Sequence, residues 1–300
     1  MSGTIQKVAL AGATGNLGPS ILEQLLKAGF AVTVLTRQGG SSKHQFPANV
    51  TVKEVDYDSL ESLTEALRGQ DAAVSTLASL ALEKQILLVQ AASKAGVQRF
   101  IPSEFGSNTV HPKTSQLPVF KDKVAVQDVL KKEAEAGRLT YSLIINGGFF
   151  DWGLRIGWIA NAKDRSIVLH DGGDRRFSTT TLATVGQAVA GVLRHPEETK
   201  NRAIYVQSAS PTLKQLVEIG ERATGGKWQR SQASVDEQLK EAWVSLTSDK
   251  PDPNVFVMKF LNASVWGEGY GNPWEKTDNE LLGIKELSDS DIEALIKSLA

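Results

Sequence analysis

Three glycines recur in Gly12-Ala13-Thr14-Gly15-Asn16-Leu17-Gly18, directly after the apolar run Val8-Ala9-Leu10-Ala11 and before a helical pattern. Glycines at such a junction permit a tight turn and close backbone approach, so that amide N–H groups and the positive end of a helix can face an anion. Gly18 would let the helix pack close to a sheet, and Pro19 suits an early helical position that needs no N–H. The spacing is GxxGxxG rather than the common GxGxxG, and alone it describes an ordinary strand-to-helix turn. Between a strand and a helix it predicts a dinucleotide pyrophosphate site built from Gly12, Thr14, Gly15, Asn16 and Leu17. An NAD site would place a carboxylate about 20 residues further on, at the end of the next strand. No Asp or Glu occurs between Glu23 and Glu54; Arg37 stands there, with Lys43 and His44 beyond it. A guanidinium suits a 2′-phosphate, and a missing carboxylate avoids repelling one. The expected cofactor is therefore NADP, contacted by Arg37 and Lys43. The plainer alternative makes Arg37 a solvated residue at a strand end.

Asp56 and the pair Thr76-Leu77 close the next two strands, where a bound dinucleotide would cross the sheet edge. Asp56 would touch adenine or cap the turn before a helix, and both readings stand. A short-chain dehydrogenase would add Tyr-x-x-x-Lys as its proton donor. Four places after Tyr57, Tyr141, Tyr205 and Tyr270 stand Glu61, Ile145, Ala209 and Trp274, so that pair is absent. Cysteine is absent too, which excludes disulfides and thiol nucleophiles. His44, His111, His170 and His195 lie far apart without ligand spacing, and no metal is expected.

The elements that must position these residues follow from periodicity. Short runs rich in Val, Ile and Leu at Val8–Ala11, Ala31–Thr36, Val50–Val55, Ala72–Thr76, Arg99–Pro102 and Thr140–Ile145 read as buried parallel strands. Amphipathic stretches lie between them: Ile21 to Leu26 closed by Gly29, Leu60 to Leu67 after an N-cap at Asp58, and Ile86 to Gly96. The fold class predicted is α/β, a Rossmann-type doubly wound parallel sheet with a smaller mixed α/β region behind it. The division falls near 150–155: residues 1–153 as the NADP-binding domain, and 154–300 as a substrate-binding region, some of which returns to the sheet.

All six tryptophans lie from Trp152 onward. They are expected to gather partly at the sheet's open edge as an apolar pocket, Trp152 foremost. Strands are expected at Ser166–His170 and Ala203–Val206, and helices near Thr184–Arg194 and Thr212–Thr224. A last helix opens at Ser288 with Asp291, and Thr247–Asn254 reads as a loop. Lys plus Arg at 33 against Asp plus Glu at 34 gives a net charge of −1, so no basic field invites nucleic acid or an anionic membrane. No apolar run reaches the ~18–20 residues of a membrane span, and no leader is expected before the first strand. The expectation is a cytoplasmic protein whose partner is a small molecule, with a homodimer left open.

Taken with Arg37, the run Arg99-Phe100-Ile101-Pro102-Ser103-Glu104-Phe105-Gly106 and Phe120-Lys121-Asp122-Lys123 with Val126 carry a resemblance. The chain resembles the NmrA-like group, and within it the isoflavone reductase and phenylcoumaran benzylic ether reductase branch of atypical short-chain dehydrogenases. The likeness covers essentially the first 150 residues and continues more loosely through Gly172-Gly173-Asp174. It implies an NADPH-dependent reductase whose catalytic lysine is Lys123, stabilising or protonating the oxygen that gains charge, or deprotonating a phenol. Without the resemblance, Lys121, Lys123, Lys131 and Lys132 would read as one solvated helix face. It further implies that Ser103, Lys123, Asn146, Gly147 and Phe149 border the nicotinamide, Gly147-Gly148 permitting close backbone approach. Glu104, Phe150 and Trp152 would line the substrate pocket, although Phe149 and Phe150 fit a core equally well. His111 reads as an exposed loop residue within reach of the site. The segment around Gly147-Gly148 and Trp152 departs from the plant reductases, so substrate identity does not follow. The same group includes redox sensors that bind the cofactor without turnover and regulate a protein partner, and a sensor need not retain Lys123 with PSEFG. A dinucleotide-binding protein without activity is the third reading.

Overall fold

The computed structural model describes residues 4–40, 45–77 and 83–300. Its first strand, β1 (Lys7–Ala11), alternates between two cores: Val8 and Leu10 enter one, Ala9 and Ala11 the other. A strand covered on both faces belongs inside a parallel sheet. After it come α1 (Gly18–Lys27), β2 (Ala31–Arg37), β3 (Thr51–Val55), α2 (Leu60–Leu67), β4 (Ala72–Ser75), α3 (Lys84–Ala95) and β5 (Arg99–Ile101). A short α4 (Pro112–Ser115) leads to α5 (Lys121–Glu135) and β6 (Thr140–Ile145). Next are β7 (Gly148–Phe149), α6 (Phe150–Arg155), β8 (Ser166–His170), β9 (Thr179–Thr180), α7 (Leu182–Arg194), α8 (Pro196–Thr199) and β10 (Arg202–Tyr205). The chain ends through α9 (Leu213–Thr224), β11 (Gln229–Ala233), α10 (Val235–Leu246), α11 (Pro253–Trp266) and α12 (Asp289–Leu299).

The sheet runs β10-β6-β5-β4-β1-β2-β3, every pairing parallel. The chain leaves β1 toward β2 and β3, then returns to β4 on β1's other side. This reversal opens a crevice at the carboxyl ends of β1 and β4. Residues of α1 and α7 close one core, and residues of α2, α3 and α5 close the other. At Gly186 the two helices α1 and α7 approach so closely that a Cβ would stand 2.6 Å from Ser20 O.

The later half builds a third core around Phe150, Phe177, Trp228, Phe260 and Trp266. Beside it β8 pairs with β11, and β7 with β9, both parallel. The chain nevertheless returns to the sheet more than once. The strand β10 extends it beyond β6, and the segment around residue 278 ties to that edge, Asp278 N donating to Tyr205 O at 2.7 Å. Leu282 and Ile284 enter the core shared with α1 and α7.

Several local expectations need correction. Ser59, not Asp58, caps α2, its hydroxyl accepting from Ser62 N at 3.2 Å. Pro253 and Asn254 are helical, because Asp252 Oδ1 accepts from Asn254 N at 2.9 Å and caps α11. The polar strand Gln229-Arg230-Ser231-Gln232 has no apolar alternation to announce it, and all four residues are exposed. Among the described residues, no helix is long and apolar enough to cross a membrane.

Candidate functional site

The crevice begins with the glycine loop. Gly12 adopts φ +83°, and a Cβ there would lie 2.6 Å from Thr76 Oγ1. A Cβ on Gly18 would lie 2.3 Å from Gly12 O. Gly12 and Gly18 thus fold the loop onto β4 and onto itself. Gly15 N donates to Gly12 O at 3.1 Å, and only that oxygen would meet a Cβ at Gly15, so the space above it is open. Thr14, Gly15 and Asn16 are exposed, whereas Leu17 is buried in the sheet core and offers only its backbone. The first turn of α1 has no capping side chain and no acidic residue, and Pro19 occupies it. Its N–H groups therefore keep their positive end for an anion.

A cavity of about 750 Å³ adjoins this loop, walled by Val34 to Gln38, Asp56 to Asp58, Thr76, Leu77 and Lys84. Arg37 ends β2 and is exposed at the cavity. Thr36 Oγ1, on the same wall, is buried without a hydrogen-bond partner among the described residues. Asp56 caps its turn, Oδ1 accepting from Asp58 N at 2.9 Å. Asp58 pairs with Lys84 at 2.5 Å across the rim. Tyr57 donates to Leu35 O at 3.2 Å; burial pushes its hydroxyl well above the usual phenol range, opposed by the Arg37 charge. Lys43 lies outside the described residues. On the far side of Ala13 and Thr14, a second cavity of about 510 Å³ opens against Pro19, Leu22, Leu26 and Phe46.

Thr76 and Ser103 spend their hydroxyls on the fold. Thr76 Oγ1 donates to Ala11 O at 2.9 Å, and Ser103 Oγ to Leu77 O at 2.9 Å. Beyond β5, Lys123 in the first turn of α5 bonds the main-chain carbonyl of Glu104. Burial pushes the Lys123 ammonium below the usual lysine range, opposed by the charge of Glu104. Lys121, its helix neighbour, is exposed. The expectation that Glu104 lines the pocket is overturned: the residue is 1% exposed, and its carboxylate accepts from Thr109 and Gln127. Asn146 and Gly147 both donate their N–H to Gly106 O, which ties the end of β6 to this segment. Asn146 is fully buried, and its Oδ1 has no partner among the described residues.

Gly147 and Gly148 serve the chain itself rather than an open surface. At φ +68°, a Cβ on Gly147 would stand 2.0 Å from Ser178 O, and one on Gly148 would stand 3.1 Å from the Trp158 ring. Phe150 is likewise corrected: it is completely buried in the later core and presents no surface to a pocket. Phe149 and Trp152 are half-buried and meet edge to face at 6.5 Å. The remaining tryptophans do not gather at the crevice. Trp266 stacks on His170 at 4.3 Å and touches Trp158 at 5.4 Å; Trp228 is buried, Trp274 packs on Tyr205, and Trp243 is exposed on α10. His111 caps α4, accepting from Lys113 N at 3.3 Å, with its ring against Gly271. Among the described residues, no cluster of His, Asp or Glu could hold a metal ion.

Sequence reasoning missed Gln127 and Thr109. Neither carries a motif, and only the fold brings them to Glu104. The glycine loop, the uncapped helix, the open cavity, Arg37 and the orphaned Thr36 hydroxyl together fit a phosphate-bearing dinucleotide.

The comparisons with known proteins agree with this geometry. The model of the NmrA-like family matches residues 4–258. The oxidoreductase poxI of Penicillium oxalicum is 33% identical, over 98% of this chain and 94% of its own. A phenylcoumaran benzylic ether reductase of Pinus taeda is 26% identical over 84% of each chain. A leucoanthocyanidin reductase of Vitis vinifera, solved as a binary complex with NADPH, superposes with a TM-score of 0.76 at 16% identity, covering 97% of this chain and 99% of that one.

Proposed function

The chain belongs to the NmrA-like family, and on that premise we propose that it is an NADPH-dependent reductase of a small aromatic or conjugated molecule, acting on a carbonyl, an enone or a benzylic ether. One observation carries this reading. A glycine loop open to an anion and Arg37 lie on one half of the sheet's carboxyl edge, and the half-buried ammonium of Lys123 lies on the other. Gly12, Thr14, Gly15, Asn16 and the Leu17 backbone hold the pyrophosphate. Arg37 takes the 2′-phosphate, with Lys43 as a second cation. Thr76, Leu77 and Ser103 form a wall, and Asn146 and Phe149 border the nicotinamide end. NADPH supplies the hydride.

Lys123 supplies the complement to hydride addition, a proton or positive charge at the oxygen that gains electrons. An ammonium destabilised by burial releases its proton more readily than an exposed one. The same amine, once neutral, accepts a phenolic proton. Trp152 and Phe149 offer half-buried aromatic faces suited to an aromatic substrate. The test is anaerobic incubation with NADPH and a panel of phenolic ethers, enones and ketones, followed at the reduced-nicotinamide absorbance band. Oxidation of NADPH with at least one class is expected. Tight NADPH binding with no turnover on any class would overturn the reductase in favour of a cofactor-binding sensor.

A further inference from the structure

One face of α5 grips a single residue at both ends. Lys123 and Gln127 are four residues apart and project on the same side of the helix. Lys123 bonds the main-chain carbonyl of Glu104, while Gln127 Nε2 donates to its Oε1 at 3.0 Å. Thr109 Oγ1 donates to Oε2 at 2.5 Å and accepts from Gln127 Nε2 at 2.8 Å. Glu104 is 1% exposed, and its side-chain partners among the described residues, Thr109 and Gln127, are neutral.

For shape alone, a glutamine would serve at this position. A carboxylate taken out of water without a cation is costly, and so is an isolated ammonium. Lys123 is bonded to the main-chain carbonyl of the same residue, and the Glu104 charge opposes the desolvation of its ammonium. Lys121 and Asp122, in the same first turn, are exposed and screened by water. On Lys123's other side lies the uncharged Phe120 ring, 5.9 Å away. His111 is engaged at the start of α4.

We infer that Glu104 is the fixed counter-charge of Lys123: its carboxylate, oriented by Thr109 and Gln127, keeps the half-buried amine protonated and docked on the Glu104 carbonyl. Glu104 is then a positioning residue that touches no substrate and sets the pH range in which Lys123 acts. The inference rests on the reading of Lys123 as the catalytic group. The direction of its consequence is the same whether Lys123 gives or takes a proton, because removing a nearby anion always lowers the affinity of an amine for its proton.

The experiment is an NMR titration of the side-chain carbons of isotope-labelled lysines in the full chain, with the Lys123 signal assigned by its loss in Lys123→Ala. No substrate is needed. In Glu104→Gln the Lys123 midpoint is expected to fall by roughly one pH unit or more, and the pH limb of turnover should move with it. An unmoved midpoint in folded Glu104→Gln overturns the inference. Should that variant fail to fold, Gln127→Leu replaces it, since it strips a donor from the carboxylate and releases it from its fixed orientation. A smaller fall in the midpoint is then expected, and no fall overturns the inference. Turnover by Lys123→Ala judges the catalytic reading separately. Full activity there would sink the role of Lys123, while the titration still decides whether Glu104 governs its charge.

Discussion

The two halves of the sheet's carboxyl edge are made from different materials. Over β1 and β2 the site is backbone: a glycine loop, a helix end with no capping side chain, and an exposed arginine beside an open cavity. Over β5 and β6 it is side chain: a half-buried Lys123 meets Glu104, Gln127 and Thr109, and the last three are withdrawn from water. Binding a polyanion needs many weak donors that stay available. Proton chemistry needs one group whose charge is controlled, and control comes from burial and fixed neighbours. On the proposed function the open half binds and the closed half reacts, and the two should therefore separate under mutation.

Lys123→Ala is the strongest test of that separation. It should slow the chemical step by about 10²–10⁴, the usual worth of a positioned proton donor or acceptor. NADPH affinity should hardly change. Lys121→Ala, two residues away and exposed, is expected to be nearly silent in both measurements. Stopped-flow absorbance with an identified substrate, together with a fluorescence titration of NADPH, checks both. Loss of cofactor affinity in Lys123→Ala as severe as in a loop-glycine variant would merge the two halves into one binding surface.

Legibility in the sequence follows the same division. The loop from Gly12 to Gly18 and Arg37 are local: strand, turn and helix are contiguous, so spacing alone places them. The alternation of apolar runs with amphipathic helices likewise gave the parallel sheet, because each strand is covered on both faces. Lys123 carried no local signal beyond a helix with four lysines, and a family resemblance singled it out. Gln127 and Thr109 meet Glu104 only because α5 packs beside the end of β5. The pair Gly147-Gly148 suggests room for a ligand, whereas Ser178 and Trp158 fill the space a side chain would take there. Sequence shows that a backbone must pass closely there; it does not show what passes.

Gly147→Ala turns that correction into a measurement. A methyl group 2.0 Å from Ser178 O, on a residue at φ +68°, forces β7 away from β9. The expected cost is about 3 kcal/mol or more of stability, read as a lowered thermal midpoint. Were the glycine instead a contact for the cofactor, stability would hold and NADPH affinity alone would fall.

The two halves of the chain should also differ toward acid. In the later core His170 is 6% exposed and stacked on Trp266; burial lowers its pKa from 6.5 to about 4, against the opposing charge of Asp171. The native state therefore resists a proton that the unfolded chain accepts. Stability is full above pH 6.5 and declines as pH falls toward 4, by roughly 3 kcal/mol in all. Denaturant unfolding across this range checks it, and His170→Phe should flatten the dependence. Glu133, whose pKa is lowered to about 2 by Arg138 and Ser93, contributes its own loss only below its unfolded value of 4.5. A dependence between pH 5 and 6.5 that survives His170→Phe would move the acid sensitivity elsewhere.

The smallest effect expected is at Arg37, and its size follows from its exposure. A charge-assisted contact between a guanidinium and a 2′-phosphate is strong in a dry site, but Arg37 is open to water at the end of β2. A preference for NADPH over NADH of about tenfold, near 1.4 kcal/mol, is therefore a reasonable lower bound. Arg37→Ala should remove most of it and leave NADH affinity almost unchanged, because NADH brings no phosphate to that corner. The preference should also shrink as salt is raised, since a Debye length of about 8 Å near physiological ionic strength screens an exposed pair. Calorimetric titration of both cofactors, at low and high salt, reads all three effects at once. Equal affinity of the unaltered protein for NADPH and NADH would show that the missing carboxylate between Glu23 and Glu54 does not mark a phosphate site. A preference that persisted in Arg37→Ala would instead transfer the contact to another donor on the same wall, with the Thr36 hydroxyl, unpartnered among the described residues, the first to replace.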